Sequence, residues 1–248
     1  MKGMFFYKSC EYKLDLEGES WERGSVISGS LSLLPQGMPS KIPNLQIFLG
    51  FGNPKKIQNK DLSSFKMIDS IQVPEECYDK SVPFTFSFSL LNDFIISDNT
   101  KTLFVIIGTL EESIEVGLLP LSILPEKSIC DFKDIFENFY KFKFKPFKNA
   151  KKQISSELIP PGSNEWVGIQ KMHVFFEVES DVLLVEYKIK HKKMSYDINS
   201  IGTKDENLVL KSKLEKSDYS GHGSSPNQMG IKSSIELILD QLRTKSMR

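Results

Sequence analysis

The sequence has few of the residues on which disulfide frameworks and metal sites depend. It holds 3 Cys and 3 His in 248 residues, and no CxxC pair occurs. Cys10, Cys77 and Cys130 lie far apart, whereas zinc sites and secreted disulfide frameworks use closely spaced, paired cysteines. We therefore expect buried thiols in a reducing compartment and no metal site.

Recognisable catalytic motifs are also lacking. His173, His191 and His222 have no Ser, Cys or carboxylate at a spacing that indicates a triad or a metal set. The segment Gly50–Lys55 has the glycines of a phosphate loop but not the spacing, so a hairpin turn is predicted there. These observations predict no catalytic residue and no cofactor, although an enzyme with an unrecognised site stays open.

Long apolar runs and net charge are missing as well. Lys+Arg and Asp+Glu both number 32, so no global charge favours nucleic acid or a membrane. No run reaches the roughly 18 apolar residues of a transmembrane helix. Only a short apolar run precedes Lys8, too short for the core of a signal peptide. A cytoplasmic location is expected.

Aromatic and branched residues are plentiful, and in 5–125 they alternate with period two. About seven strands separated by Gly, Pro and Asn clusters, with no helical period between them, are typical of a β-sandwich. One face of each strand is predicted to line the core. The clearest such faces are Tyr12, Leu14 and Leu16; Leu45, Ile47, Leu49 and Phe51; Phe84, Phe86 and Phe88; and Leu103, Val105 and Ile107.

The period changes after residue 125. Phe132, Ile135, Phe136 and Phe139 predict one face of a short helix, with Ser128 near its start. A Lys/Phe-rich strand over 142–149 follows. A hairpin then closes the region, with arms at 172–178 and 183–189 and a bend at Ser180–Asp181.

The C-terminal part is polar until its last segment. Residues 195–230 are rich in Ser, Gly, Asn and Lys and are predicted to be a flexible linker. Residues 231–248 are predicted to contain an amphipathic helix, capped by Ser233 and Glu236. Its apolar stripe is a candidate partner-binding surface, docking either on this chain or on a partner: Ile235, Ile238, Leu239 and Leu242.

One local basic patch has two interpretations. Lysines alternate with aromatic residues over 139–152, at Lys141, Lys143, Lys145, Lys148, Lys151 and Lys152. They are either the solvated side of an edge strand, where lysine discourages aggregation, or a contact for anionic lipid headgroups or nucleic acid. Lys188–Lys193 would extend such a contact.

Three segments resemble the arrestin-like superfamily. They are the turn and strand Trp21-Glu22-Arg23-Gly24-Ser25-Val26-Ile27-Ser28-Gly29-Ser30-Leu31, the entry Val82-Pro83-Phe84-Thr85-Phe86, and the strand Lys101–Leu110. Within that superfamily the chain is most similar to the bacterial sporulation-control (stage-zero M type) family, over roughly residues 10–193. The resemblance implies a non-catalytic adaptor whose β-rich halves hold protein partners through grooves or strand edges.

The predicted fold class is therefore all-β. An arrestin-like sandwich (1–125) precedes a smaller β-rich half with one helix and a hairpin (126–194), the flexible linker (195–230) and the C-terminal helix (231–248). The expected function is a regulatory scaffold that binds protein partners through its β-surfaces and C-terminal helix. The alternative is a binder of anionic surfaces through 139–152.

Overall fold

The computed structural model describes residues 1–7, 10–35, 44–59, 61–77, 82–91, 94–109, 114–163, 166, 168–197 and 200–246. The chain forms two compact units, Met1–Leu124 and Pro125–Arg248. Within the described ranges, no helix combines the length and the apolar character that crossing a membrane requires.

The described residues of the first unit include ten strands and a short helix. The strands are β1 Lys2–Tyr7, β2 Cys10–Leu16, β3 Trp21–Glu22, β4 Val26–Pro35, β5 Gln46–Gly52, β6 Lys66–Gln72, β7 Phe84–Ser89, β8 Thr102–Thr109, β9 Ile114–Leu121 and β10 Ile123–Leu124; helix α1 is Pro54–Gln58. Two four-stranded antiparallel sheets have the orders β1-β2-β4-β7 and β6-β5-β8-β9, and β3 pairs in parallel with β10.

These two sheets form a sandwich because several of their strands, β2 most clearly, present an apolar side chain at every second position. Tyr12, Leu14 and Leu16 of β2 are buried in one core cluster with Leu103 and Val105 of β8, which belongs to the other sheet. Such interdigitation of two inner faces is the packing of β-sandwiches. The predicted interior position is confirmed for Phe86 and Phe88, whereas Phe84 is only half-buried.

Strand β8 is buried on both faces, which the alternation did not predict. Phe104 and Ile106 lie on its second face and pack with Phe48 and with Ile57 of α1. The hairpin turn predicted for Gly50–Lys55 is therefore wrong. Asn53 instead caps α1 by accepting hydrogen bonds from the backbone N–H groups of Lys55 and Lys56.

The second unit has one sheet and three helices. Its strands are β11 Lys143–Phe144, β12 Lys148–Ala150, β13 Gln153–Ile159, β14 Ile169–Glu179, β15 Val182–Asp197 and β16 Ser200–Glu215; its helices are α2 Lys127–Tyr140, α3 Lys216–Tyr219 and α4 Gln228–Ser246. The antiparallel sheet has the order β11-β13-β14-β15-β16, and β12 also pairs with β13. The predicted hairpin is β14–β15, and Ser180 in its bend has a φ of 55°.

One face of this sheet carries the core of the second unit. Met172, Val174 and Phe176 of β14 are buried, as are the alternate residues of β15 from Leu183 to His191. Helix α2 covers β14, since the Phe132 and Phe176 rings meet edge-on with centroids 5.5 Å apart. Helix α4 packs on β15, β16 and α2. We call the uncovered side the helix-free face.

The prediction of a flexible linker over 195–230 is wrong. Strand β15 continues to Asp197, and β16 pairs with it along its whole length, from Asp197–Ser200 to Val182–Glu215. Strand β16 is polar because it lies at the edge of the sheet. Its apolar side chains that turn toward the helices are Leu208, Leu210 and Leu214. Since this segment completes the sheet, the second unit is not smaller than the first.

The start of the C-terminal helix also differs from the one predicted. Helix α4 begins at Gln228, and Asn227 accepts a hydrogen bond from the Gly230 N–H at 3.1 Å, so Ser233 is not its cap. A Cβ on Gly230 would lie 2.2 Å from the Asp218 carbonyl oxygen, so only glycine allows α4 to approach α3 this closely. Helix α2 begins at Lys127, so Ser128 lies near its start as predicted, but Phe139 is half exposed rather than in the core.

Candidate functional site on the helix-free face

The apolar stripe of the C-terminal helix is part of the core. Each of its four side chains is at most 4% exposed: Ile235, Ile238, Leu239 and Leu242. The helix therefore docks on its own unit, which decides the choice that the sequence left open. As a surface for a partner these four residues are a wrong prediction, because the sheet and α2 already occupy the stripe.

Polar and aromatic contacts also hold α4 in place. The Tyr140 hydroxyl donates a hydrogen bond of 3.0 Å to the Glu236 carboxylate. Burial, together with this bond and the charge of Glu236, raises the pKa of Tyr140 well above its usual range. The Lys232 ammonium lies 3.3 Å from the centroid of the Phe139 ring. The exposed side of α4 is thereby tied to the end of α2.

The six lysines of 139–152 are all exposed, as both interpretations require: Lys141, Lys143, Lys145, Lys148, Lys151 and Lys152. Lys141 ends α2 with a φ of 62°, and its ammonium donates to the Asn138 carbonyl. Lys143 and Lys148 lie on β11 and β12, which form the outer edge of the sheet beside β13. The lysines are therefore spread along a helix end, an edge and a turn.

Three aromatic rings of the same segment, those of Phe142, Phe144 and Phe147, pack against other rings of the second unit. Phe142 is buried against Phe136, with ring centroids 5.0 Å apart. Phe144 and Phe147 both pack against Phe176, on the helix-covered side of the sheet. Rings in such contacts cannot serve as stacking platforms for bases.

The helix-free face gathers charged residues from four strands. By strand alternation and register it carries Ser155 and Glu157 of β13; Lys171, His173, Phe175 and Glu177 of β14; Leu184, Glu186, Lys188, Lys190 and Lys192 of β15; and Asp205, Asn207, Val209, Lys211 and Lys213 of β16. Charges of the two signs are unevenly distributed over this face.

One end of the helix-free face, the basic end, is crowded with cations. Lys171 pairs across the strands with Lys190, and His173 pairs with Lys188. Burial lowers the pKa of His173 below its usual range. The ammonium groups of Lys171, Lys145 and Lys148 lower it further, against the opposing effect of Glu157. The edge lysines Lys145 and Lys148 therefore belong electrostatically to the same site.

Carboxylates partly neutralise the basic end. Lys145 contacts Glu157 at 2.8 Å, Lys188 contacts Glu186 at 3.0 Å, and Lys190 contacts Asp205 at 2.8 Å. Hydrogen bonds from these lysines, joined at Glu186 by Lys211, lower the pKa of all three carboxyl groups. Exposed ion pairs of this kind contribute little to stability, about 0–1 kcal/mol each.

Two shallow grooves lie on this face. One, of about 340 Å³, is lined by Lys171, His173, Lys188, Ile189, Lys190, Asn207, Leu208 and Val209. The other, of about 370 Å³, lies around Phe175 and Leu184. Phe175 has the Lys188 ammonium 4.4 Å from its ring centroid, and Val209 is 52% exposed. Apolar side chains thus lie among charged ones.

The cysteines and histidines are dispersed. None of Cys10, Cys77 and Cys130 takes part in a disulfide among the described residues. His191 is buried within β15, with Glu206 3.8 Å from its Nε2. His222 lies exposed in a short 3₁₀ turn, His222–Ser224. Among the residues that the structure describes, no three His, Cys, Asp or Glu side chains gather as a metal site.

The described residues form a mostly β architecture, a β-sandwich followed by a second β-rich unit, and this is consistent with the predicted arrestin-like sandwich fold. The crystal structure of Spo0M, the sporulation control protein from Bacillus subtilis, has a similar fold, with a TM-score of 0.58 over 97% of this chain and 100% of that chain. Sequence identity is 12%, so the likeness concerns the fold alone. No protein-family model and no curated protein matches the chain.

Proposed function

We propose that this protein is a non-catalytic regulatory adaptor that holds a protein partner on the helix-free face of its second unit. One observation carries the proposal. This face combines exposed or half-buried apolar side chains, Phe175, Leu184 and Val209, with charges sorted into ends. Apolar and aromatic residues surrounded by a charged rim are characteristic of protein interfaces.

The surroundings of this face support the same proposal. The sequence suggested two recognition surfaces, the β-surfaces and the apolar stripe of the C-terminal helix. The stripe is buried, so the β-surfaces are the candidates that stay available to a partner. A regulatory role is supported by the similar fold of a sporulation control protein. The dispersed histidines and cysteines favour binding over catalysis.

Site-specific cross-linking in living cells tests this proposal. Photoreactive p-benzoylphenylalanine is placed at Val209 or, as a control, at Leu237 of α4, because these side chains are 52% and 58% exposed. A discrete protein adduct from position 209 and none from position 237 is expected. Equal adducts from both positions, or none from position 209, would contradict the assignment of this face.

A second candidate function is binding of anionic surfaces, either lipid headgroups or nucleic acid. The exposure of all six edge-segment lysines favours it. The rings of Phe142, Phe144 and Phe147 argue against stacking with bases, because all three pack against other rings of the second unit. Substituting Lys143, Lys148 and Lys152 by Ser, and measuring sedimentation with anionic vesicles at two salt concentrations, tests this candidate.

A further inference from the structure

We propose that the basic end of the helix-free face binds an acidic segment of a polypeptide. This inference rests on the proposed function and gives the partner its chemistry. Its first support is the placement of like charges. Lys171 and Lys190 are partners across β14 and β15, and Lys188, opposite His173, adds a further ammonium group on this face. Like charges directly opposite each other destabilise a sheet, and carboxylates placed between them relieve the repulsion.

The second support is a local excess of positive charge in a neutral chain. Lys+Arg and Asp+Glu both number 32 in the sequence. The basic end nevertheless sets the ammonium groups of Lys145, Lys148, Lys171, Lys188, Lys190 and Lys192 against the carboxylates of Glu157, Glu186 and Asp205. A local field of this kind attracts a ligand of opposite sign and orients it.

The third support is the shape of the site. The groove of about 340 Å³ crosses β14, β15 and β16, so its length runs over several side-chain rows. Val209 adds an exposed apolar surface, and the Lys188 ammonium lies over the Phe175 ring. Acidic residues next to aliphatic ones would match this arrangement, with the carboxylates at the ammonium groups and the aliphatic groups on Val209.

The far end of the same face argues against a broad polyanion. Glu177, Glu179, Asp181 and Glu215 lie there, and Lys216 and Lys213 pair with the last two. A flat anionic membrane laid on this face would bring headgroups against those carboxylates. A short acidic segment contacts the basic end alone. Carboxylates interspersed among the lysines also suit a polypeptide better than an unbroken row of phosphates.

The test uses the full chain and a synthetic peptide. A fluorescein-labelled peptide of about ten residues places Glu and Val in turn at every second position, with Ser between them, so that both side chains lie on the same side of an extended strand. Its control replaces every Glu by Gln. Fluorescence anisotropy should detect binding of the Glu peptide only. Its affinity should fall as ionic strength rises, because exposed charges are screened.

Two matched pairs of substitutions locate the binding. Lys171→Glu with Lys190→Glu should weaken peptide binding about tenfold or more, whereas Lys213→Glu with Lys216→Glu, at the other end, should leave it unchanged. The single change Lys171→Glu places unlike charges opposite each other. It should therefore weaken binding while raising the urea midpoint of unfolding, which separates loss of the site from loss of the fold.

Three results would overturn the inference. They are equal binding by both double variants, equal binding of the Glu and Gln peptides, and tighter binding of phosphatidylserine vesicles or a single-stranded oligonucleotide than of the peptide. Each of them can occur while the cross-link at position 209 still forms. In that case the face binds a partner of other chemistry, and only the acidic segment is excluded.

Discussion

Two neighbouring residues of α4 offer a sharp test of how the C-terminal helix docks. Ile238 is 0% exposed and lies in the buried stripe, whereas Leu237 is 58% exposed. Truncating a buried Ile to Ala removes its transfer free energy and leaves a cavity, which typically costs about 2–5 kcal/mol. An exposed Leu loses little, so Leu237→Ala should change the free energy of unfolding by about 0.5 kcal/mol or less.

The assay has to report on the second unit alone. The chain has 2 Trp, and the structure places Trp21 in the first unit and Trp166 in the second. A Trp21→Phe background therefore leaves Trp166 as the fluorescent reporter of the second unit. Trp166 is buried against Phe142, with ring centroids 5.4 Å apart, so unfolding should change its emission. Urea titration of each Ala variant in this background gives its free energy of unfolding.

The two substitutions are expected to differ clearly. Ile238→Ala should lower the midpoint strongly and Leu237→Ala only slightly, with similar slopes against urea. If both variants lost less than about 1 kcal/mol of unfolding free energy, the apolar stripe of α4 could not be buried, because truncating a buried Ile costs more than that. Equal losses for the two variants would mean that the helix faces the sheet with a different side.

Two further predictions concern the first sandwich and His173. Phe86→Ala should lower the free energy of unfolding by about 3–5 kcal/mol, and the exposed Thr85→Ala by less than about 0.5 kcal/mol. Trp21 fluorescence in a Trp166→Phe background measures both. Equal losses would mean that the wrong side of β7 has been assigned to the core. Because burial and Lys171 lower the folded-state pKa of His173, the folded chain binds fewer protons than the unfolded chain just below the usual value of about 6.5. The stability tied to His173 is thus complete above that pH and is lost as the pH falls. His173→Gln should therefore lose less unfolding free energy on acidification than the unsubstituted protein does. If the two plots of unfolding free energy against pH ran parallel, this reasoning would be refuted.

The strands of the first unit could be predicted because one physical signal dominates them. In β2, Tyr12, Leu14 and Leu16 alternate with Lys13 and Asp15, and a half-buried strand requires that alternation. The signal is weaker where both faces are buried, as in β8. Which element covers its second face depends on Asn53 starting a five-residue helix, a local hydrogen-bonding event that apolar periodicity does not report.

The polar C-terminal segment was mispredicted because an edge strand needs little apolar character. By alternation Leu208, Leu210 and Leu214 of β16 turn toward the helices, and Ser212 interrupts the row. Residues 202–207, 209, 211 and 213 are exposed and mostly polar, so the segment has the composition of a linker. Pairing with β15 stabilises β16, and the composition of a segment does not reveal whether a distant segment will pair with it.

The candidate site shows why local charge patterns are weak guides to a surface built by several strands. The sequence singles out the lysines of 139–152 as its basic patch, yet the fold spreads them over a helix end, an edge and a turn. Lys171 attracts no notice in the sequence, and Lys190 is noted only within an extension of the patch, but the β14–β15 register places them opposite each other. Two lysines of the patch itself, Lys145 and Lys148, then join them at His173. The contiguous charge that a ligand would meet is thus set by strand register, and a register shift of one residue would move Lys171 to the core side of the sheet.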